Sequence, residues 1–319
     1  MDLMKIAFFD SQSYDREFFD QANKRFNFKI DYLKCRLSGE TAWMAKGAQA
    51  VCVSVHDCVD EVTLAVLKDL RVQTVALRCA GFDNVDLEKA KAFHIKVVRV
   101  PSYSPHSIAE HAVGLMLSLC RKICLANDRV HHGNYSLDGL MGFEIHGKTV
   151  GILGTGEIGS AFAQIMHGFG CNIIAYDAKP NLMLEAKFQV RYLNLENILE
   201  EADILSLHLP LNSATRYILN SDNIQKLKSG CMVVNTGRGA LIDSAALIVG
   251  LKTGKIGYAG LDVYENESFL FSEQNGSVVL QDDIFARLQS FQNVLITPHQ
   301  AFLTKEALVE IALTTLKNL

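Results

Sequence analysis

Three apolar runs of this chain end in side chains suited to proton transfer and carboxylate binding. MVVN leads into Thr236-Gly237-Arg238-Gly239, GYAGLDVY leads into Glu265-Asn266-Glu267, and NVLIT leads into Pro298-His299. Each run reads as a buried strand, and in an open α/β sheet the ligand crevice lies outside the carboxyl ends of the strands. An Arg, a Glu and a His spanning 61 residues are therefore expected in one place. An imidazole can give and take a proton near neutral pH. A carboxylate beside it holds the ring and favours its protonated form. A guanidinium grips a carboxylate bidentately and steadies developing negative charge. Hydride addition to the carbonyl of a 2-oxo acid needs all three. Taken singly, each is an ordinary residue: an Arg in a Gly-rich loop commonly sits in a salt bridge, and a His after Pro commonly turns the chain. Their joint placement carries the reading.

A second stretch, TVGILGTGEIGSAFAQIM, sets Gly154, Gly156 and Gly159 in GxGxxG spacing between a strand and a helix. The spacing alone is weak, because glycines mark ordinary turns. In this context it allows a tight turn, a close approach of backbone to a diphosphate, and close helix–strand packing. The helix N-terminus then faces the anion with its N–H groups and its dipole. The next strand, NIIAYD, ends in Asp177, 18 residues beyond Gly159. A carboxylate there accepts both ribose hydroxyls and repels a 2′-phosphate, which favours NAD over NADP, although Lys179 stands close by.

The elements that position these groups follow from hydrophobic patterning. Lys5–Phe9, Ala50–Val55, Thr74–Cys79 and Lys96–Val100 read as buried strands in the first hundred residues. Asp60 and Asp86 stand as N-caps before helical patterns. A second series of strands comprises Thr149–Leu153, Asn172–Tyr176, Ile204–Leu209, Met232–Asn235, Tyr258–Asp262 and Val294–Thr297, followed by a final helix capped by Thr304. Alternating strand and helix predicts parallel sheets covered on both faces. Between the two series Ser104-Pro105 opens a long helix, expected from about His106 to Val130. Its stretch AVGLMLSLC is apolar on nearly every face and should be buried all round, in the core or against a second domain or subunit. No Gly/Ser/Pro linker stands at 100–105, so two domains joined by rigid helices with a cleft between them are expected.

Composition bounds the alternatives. The 319 residues are enough for about two domains of roughly 150 residues each, and 49% hydrophobic with 21% charged residues is a globular balance. A net charge of −4 offers nothing to attract nucleic acid or an anionic membrane. The N-terminus MDLMKIAFFD lacks a signal-peptide core, and no apolar stretch approaches the ~18 residues of a membrane span. Eight cysteines, Cys35, Cys52, Cys58, Cys79, Cys120, Cys124, Cys171 and Cys231, form no CxxC pair. Buried free thiols in a reducing cytoplasm are the expectation, and no metal site is expected.

The chain resembles the D-isomer-specific 2-hydroxyacid dehydrogenases across essentially its whole length. The matching stretches are LRCAGFDNVD, RVPSYSPHSIAEHAVGLML, GKTVGILGTGEIG, LHLPL, VVNTGRGALID, GLDVYENE and TPHQAF. The resemblance implies an α/β fold of two parallel-sheet domains. A Rossmann NAD-binding domain would span 103–299, and a flavodoxin-like substrate domain would take 1–102 and 300–319. It also implies Arg238 as the substrate-binding arginine, His299 as the proton donor and Glu267, rather than Glu265, as the carboxylate partner. Asp262, Thr236 and Gly237 match positions on the nicotinamide side. Glu157 and Ile158 fall in the diphosphate turn, and Leu209 and Pro210 line the adenosine side. Ala80 and Gly81 match backbone that binds the substrate carboxylate, while Tyr103 and Phe302 match positions that crowd its side chain. The segment from Glu267 to His299, with SFLF and VVLQDDIFARL, is similar to the fermentative D-lactate dehydrogenases of this family. NADH-dependent reduction of pyruvate to D-lactate by a cytoplasmic homodimer or larger homo-oligomer is the implied function. A 2-hydroxyacid dehydrogenase for larger 2-oxo acids and an NAD-sensing corepressor-like binding protein are the rivals. Gly237 departs from the family, where many relatives carry Ser.

Overall fold

The computed structural model describes residues 3–267 and 280–319. Residues 268–279, which include SFLF and the start of VVLQDDIFARL, lie outside them. Two units are formed, Met1–Ser104 with Phe302–Leu319, and Pro105–Ala301.

The first unit holds a five-stranded sheet in the order β2-β1-β3-β4-β5. Its strands are β1 (Lys5–Phe8), β2 (Lys29–Tyr32), β3 (Ala50–Val53), β4 (Thr74–Leu77) and β5 (Lys96–Arg99), all parallel. This is the flavodoxin-like order. Strand side chains alternate between faces. Ile6, Phe8, Ala50 and Cys52 pack on one side with α1 (Ser13–Asn23) and the C-terminal helix Lys305–Asn318. Ala7, Val51, Val53, Val75 and Leu77 pack on the other, with α2 (Glu61–Asp69) and α3 (Leu87–Ala92). Asp60 caps α2 through Thr63 N, Asp86 caps α3 through Lys89 N, and Thr304 caps the C-terminal helix through Ala307 N. Each such cap is worth about 1 kcal/mol. Strand β2 escaped the sequence reading because KIDY is an edge strand with no buried residue, so it lacks the apolar run that marks its neighbours.

The second unit holds a seven-stranded parallel sheet in the order β12-β11-β10-β9-β6-β7-β8. Its strands are β6 (Thr149–Leu153), β7 (Asn172–Tyr176), β8 (Arg191–Tyr192), β9 (Ile204–Leu207), β10 (Cys231–Asn235), β11 (Ile256–Leu261) and β12 (Val294–Ile296). Read from β8, this is the doubly wound order 3-2-1-4-5-6 with one further strand at the end. The order reverses between β6 and β9. That is where a doubly wound sheet opens its crevice, because connections leave in opposite directions there. Two-residue β8 was too short for any pattern to reveal. The helices are α4 (Pro105–Cys120), α5 (Ile123–His131), α6 (Glu157–Gly168), α7 (Leu182–Phe188), α8 (Leu195–Glu201), α9 (Ser244–Thr253) and α10 (Asp283–Gln289); the C-terminal helix of the first unit is α11.

Three expectations are corrected. The long helix over 106–130 is two helices, α4 and α5, interrupted at Lys122, which adopts left-handed φ of 53°. Nor is α4 buried all round. Its Ile108, Ala112, Leu115, Met116 and Leu119 are in the core, whereas Glu110 and Gly114 are exposed and Leu117 and Ser118 half-buried. All eight cysteines are free, but Cys58 and Cys124 are exposed rather than buried. Among the described residues no helix is long and apolar enough to cross a membrane.

Candidate active site

The glycine turn sits between β6 and α6, at the point where the strand order reverses. Gly154 has φ of 95°, and a Cβ there would lie 2.7 Å from the His208 carbonyl oxygen, so both conformation and space require glycine. Gly156 is the N-cap of α6 and faces open space, with nothing near the position of a Cβ. A Cβ on Gly159 would collide with the Gly154 carbonyl oxygen, so helix and turn touch backbone to backbone. Glu157 and Ile158 are the first two residues of α6, whose early N–H groups have no intrahelical acceptor. One glycine thus makes the turn, one leaves room above the helix N-terminus, and one lets the helix close on the strand. That arrangement fits a diphosphate.

Asp177 follows β7, beside the turn. Its Oδ2 accepts from Thr155 N at 2.6 Å and Thr155 Oγ1 at 3.0 Å, and its Oδ1 accepts from Lys179 N at 2.8 Å. Tyr192 on β8 donates to Thr155 Oγ1 at 2.9 Å. The carboxylate is thus fixed against the turn, and Oδ1 retains a lone pair for a hydroxyl. On the other side of the turn, a Cβ on Gly154 would lie 3.0 Å from Leu209 Cδ2, and one on Gly237 would lie 3.4 Å from the Leu209 carbonyl. Leu209 is half-buried between the two loops, and Pro210 after it is exposed. Thr236 is buried, and its Oγ1 has no hydrogen-bond partner. An orphaned buried hydroxyl is costly and rare unless something else satisfies it. An amide-bearing ring lodged beside Thr236 is one such partner. A glycine turn with room above it, a fixed acid on the second strand and this hydroxyl together fit a dinucleotide.

Arg238 begins a short 3₁₀ turn, Gly239–Leu241. Asn235 shapes the loop, donating Nδ2 to the Arg238 carbonyl at 2.9 Å and accepting Gly237 N at 3.0 Å. Arg238 itself donates Nη1 to the Gly237 carbonyl at 2.9 Å. A Cβ on Gly239 would collide with the Tyr264 and Glu265 backbone, so the loop after β10 lies directly on the loop after β11. A Cβ on Gly237 would stand 3.2 Å from Leu241 Cδ1, so a side chain there would be a tight fit.

The structure turns two glutamates that stand two residues apart in different directions. Glu265 accepts from Tyr217 Oη at 2.7 Å and from Ser244 N, the first residue of α9, at 3.3 Å. Glu267 turns the other way: its Oε1 is 2.7 Å from His299 Nδ1, and its Oε2 accepts from Tyr264 N at 3.1 Å. Both side chains of this pair are about 85% buried, at 14% and 15% relative exposure, which removes much of the water that screens a surface ion pair. His299 and Glu267 are thus in direct contact, and the Arg238 loop packs on the loop that bears Glu267.

His299 has φ of 54°, left-handed backbone that costs a β-carbon residue about 1–2 kcal/mol. Such a conformation persists only where its surroundings over-determine it. Asp262, wholly buried at the end of β11, supplies the restraint. Its carbonyl accepts His299 N at 2.8 Å, its Oδ1 accepts Gln300 N at 2.9 Å, and its Oδ2 accepts Ala301 N at 2.8 Å. Thr297 Oγ1 donates to Asp262 Oδ1 at 2.5 Å. Neither Thr297 nor this use of Asp262 was legible in the sequence, since the loop bonds join residues 35 to 39 apart.

In the first unit, the turn Ala80-Gly81 follows β4 and is half-exposed. Arg99 Nη1 donates to the Ala80 carbonyl at 2.6 Å, and Cys79 Sγ donates to the Gly81 carbonyl at 3.3 Å. Tyr103 and Phe302, almost 200 residues apart, meet edge to face with ring centroids 6.5 Å apart.

The family model of the D-isomer specific 2-hydroxyacid dehydrogenase NAD binding domain matches residues 113–301. The chain is 46% identical to a D-lactate dehydrogenase of Escherichia coli, over 99% of this chain and 96% of that protein. Among solved structures, it superposes on the pyruvate reductase of Chlamydomonas reinhardtii with a TM-score of 0.92, at 42% identity over 99% of this chain and 95% of that one. It superposes on a D-lactate dehydrogenase of Aquifex aeolicus, solved with NAD and lactic acid, with a TM-score of 0.87, at 31% identity over 98% of this chain and 93% of that one.

Proposed function

Given that the chain belongs to the D-isomer specific 2-hydroxyacid dehydrogenase family, we propose that it reduces pyruvate reversibly to D-lactate with NADH. The observation that carries this reading is the 2.7 Å contact of His299 Nδ1 with Glu267, on loops at the same edge of the sheet as a glycine turn that fits a dinucleotide. The names of the Escherichia coli and Aquifex aeolicus proteins support pyruvate and D-lactate as the pair.

NADH, when bound, supplies the hydride for the carbonyl carbon. With Nδ1 of His299 engaged by Glu267, Nε2 is the atom assigned to give the carbonyl oxygen its proton, and to take it back in the reverse direction. Glu267 holds the ring through Nδ1. Arg238 binds the substrate carboxylate and steadies the charge that grows on the carbonyl oxygen. Ala80 and Gly81 are proposed to meet that carboxylate with backbone, and Tyr103 and Phe302 to limit the substrate side chain. Gly154, Gly156, Gly159, Glu157 and Ile158 are proposed to hold the diphosphate and Asp177 the adenosine ribose. Leu209 and Pro210 line the adenosine side, and Thr236, Gly237 and Asp262 the nicotinamide side.

The proposal extends to a cytoplasmic homodimer or larger homo-oligomer. Eight free cysteines support a reducing compartment. Exposed Ile123, Val130, Tyr135, Leu137 and Met141 on α5 and the segment after it support self-association, since apolar groups this dense are seldom left to water.

NADH oxidation by the purified chain against pyruvate, phenylpyruvate and 2-oxoisocaproate, with chiral analysis of the product, tests the reading. Highest kcat/KM with pyruvate and a D-lactate product are expected. Preference for a larger 2-oxo acid would make the chain a dehydrogenase for larger 2-oxo acids, and no turnover with any would end the enzymatic reading.

A further inference from the structure

We infer that His111, on α4, is a positioning residue for proton transfer: through the Thr297 hydroxyl it holds Asp262, which fixes the loop bearing His299. This rests on the reading of His299 as proton donor. His111 Nε2 lies 3.0 Å from Thr297 Oγ1 and 3.4 Å from Asp262 Oδ1. The direction of the bonds follows from counting protons. A hydroxyl has one proton, and Thr297 gives it to Asp262 at 2.5 Å. Oγ1 is then left as an acceptor, so Nε2 of His111 carries the hydrogen. The chain of bonds runs from imidazole N–H to hydroxyl to carboxylate, and from the carboxylate to the backbone N–H groups of Gln300 and Ala301.

Helix packing delivers His111 to this spot. A Cβ on Gly260 of β11 would lie 3.1 Å from Leu115 Cβ and 3.3 Å from Leu119 Cδ1, so α4 rests directly on the strand there. His111, Leu115 and Leu119 are spaced four apart and share that face of the helix. Gly260 and Asp262 are two apart and share a face of the strand. One helical turn before Leu115 therefore meets the end of the strand two residues after Gly260. The left-handed His299 needs a rigid partner, and the wholly buried Asp262 has no water to keep its carboxylate in place. Thr297, held by His111, supplies a donor to Oδ1, the same carboxylate oxygen that accepts Gln300 N.

Steady-state kinetics of the purified full chain with NADH and pyruvate test the inference, using His111→Leu, His111→Gln, Thr297→Val and the double variant His111→Leu with Thr297→Val. Displacement of a proton donor by a fraction of an ångström is expected to lower kcat about 10–100-fold in His111→Leu and in Thr297→Val. KM for pyruvate should change less than about threefold, since substrate binding is untouched. His111→Gln, which keeps an N–H near the same place, should recover most of the loss. The double variant should be no worse than the poorer single one, because both changes cut the same chain of bonds. Wild-type kcat in either single variant would overturn the inference, as would losses that multiply in the double variant or a Gln variant no better than Leu. Should His111→Leu fail to fold, the nearly isosteric Thr297→Val carries the test alone. A wild-type chain inert toward every 2-oxo acid would instead defeat the functional reading beneath it.

Discussion

At the carboxyl edge of the first sheet, Arg78 is buried beyond β4 and directs its donors inward. Its Nη1 bonds the Phe9 carbonyl at 3.0 Å, its Nη2 bonds the Asp10 carbonyl at 2.7 Å, and its Nε lies 3.6 Å from buried Asp15. Asp57, also buried, accepts from Leu37 N at 2.5 Å and Ser54 N at 2.6 Å. Burial raises the Asp57 pKa to about 6, against the opposing pull of Arg78. At the carboxyl edge of the second sheet, Asp262 is used in the same way, but it supports the loop from which His299 faces Glu267. The two edges are built alike, with a buried carboxylate tying down loops after parallel strands. They differ in what the tied loops carry. In one, the charged groups are consumed by holding the backbone; in the other, a second tier of titratable groups remains for chemistry.

Substitutions can break or sharpen that contrast. The largest effect is expected at the chemical tier: His299→Ala should lower kcat by about 10²–10⁴-fold, the usual contribution of a positioned general acid, with little change in stability. Kinetics and a urea melt read the two effects separately. Turnover at the wild-type rate would remove His299 from the reaction. The first edge should respond in the opposite sense. Arg78→Leu leaves Asp15 buried without its cation, and should cost about 3–5 kcal/mol in urea unfolding. A loss under about 1 kcal/mol would mean that Arg78 is not the fastener described here.

The effect that is smallest at neutral pH concerns a buried group that belongs to neither tier. The ring of His208, just beyond β9, bonds Ser206 Oγ through Nε2 at 2.9 Å, while its Nδ1 is buried without a partner. Although its backbone is partly exposed, the ring is not, and desolvation lowers its pKa from 6.5 to about 3. Between those pH values the unfolded chain binds a proton that the folded chain refuses. The resulting stability is complete above pH 6.5 and is lost as pH falls toward 3. The loss amounts to about 1.4 kcal/mol per pH unit. The stability of a His208→Asn variant should therefore depend less on pH across this window; parallel curves for the two proteins would show that the imidazole is not held neutral.

How much of this was visible in the sequence depended on whether the cause was local. The glycine turn was readable because its spacing follows from local constraints, the positive φ of Gly154 and the clash of Gly159 with Gly154. The caps at Asp60, Asp86 and Thr304 were readable for the same reason. Apolar runs marked the central strands of both sheets, while β2 and β8 went unseen at the edges, where a strand need not be apolar. The helix break at Lys122 was missed because a single left-handed residue leaves no trace in an apolar pattern.

By itself the sequence determined the alternation of strand and helix, the dinucleotide turn, and the identity of the Arg, Glu and His delivered at strand ends. Those depend on periodicity, backbone sterics and residue chemistry, which act over short stretches of chain. Only the tertiary structure decided that Glu265 is taken up by Tyr217 and Ser244, that Asp262 grips the loop, and that His111 lies beside Thr297 across 186 residues. Such contacts arise from the packing of α4 on β11 and of one loop on another, and a buried polar group accepts whichever partner that packing brings within 3 Å or so.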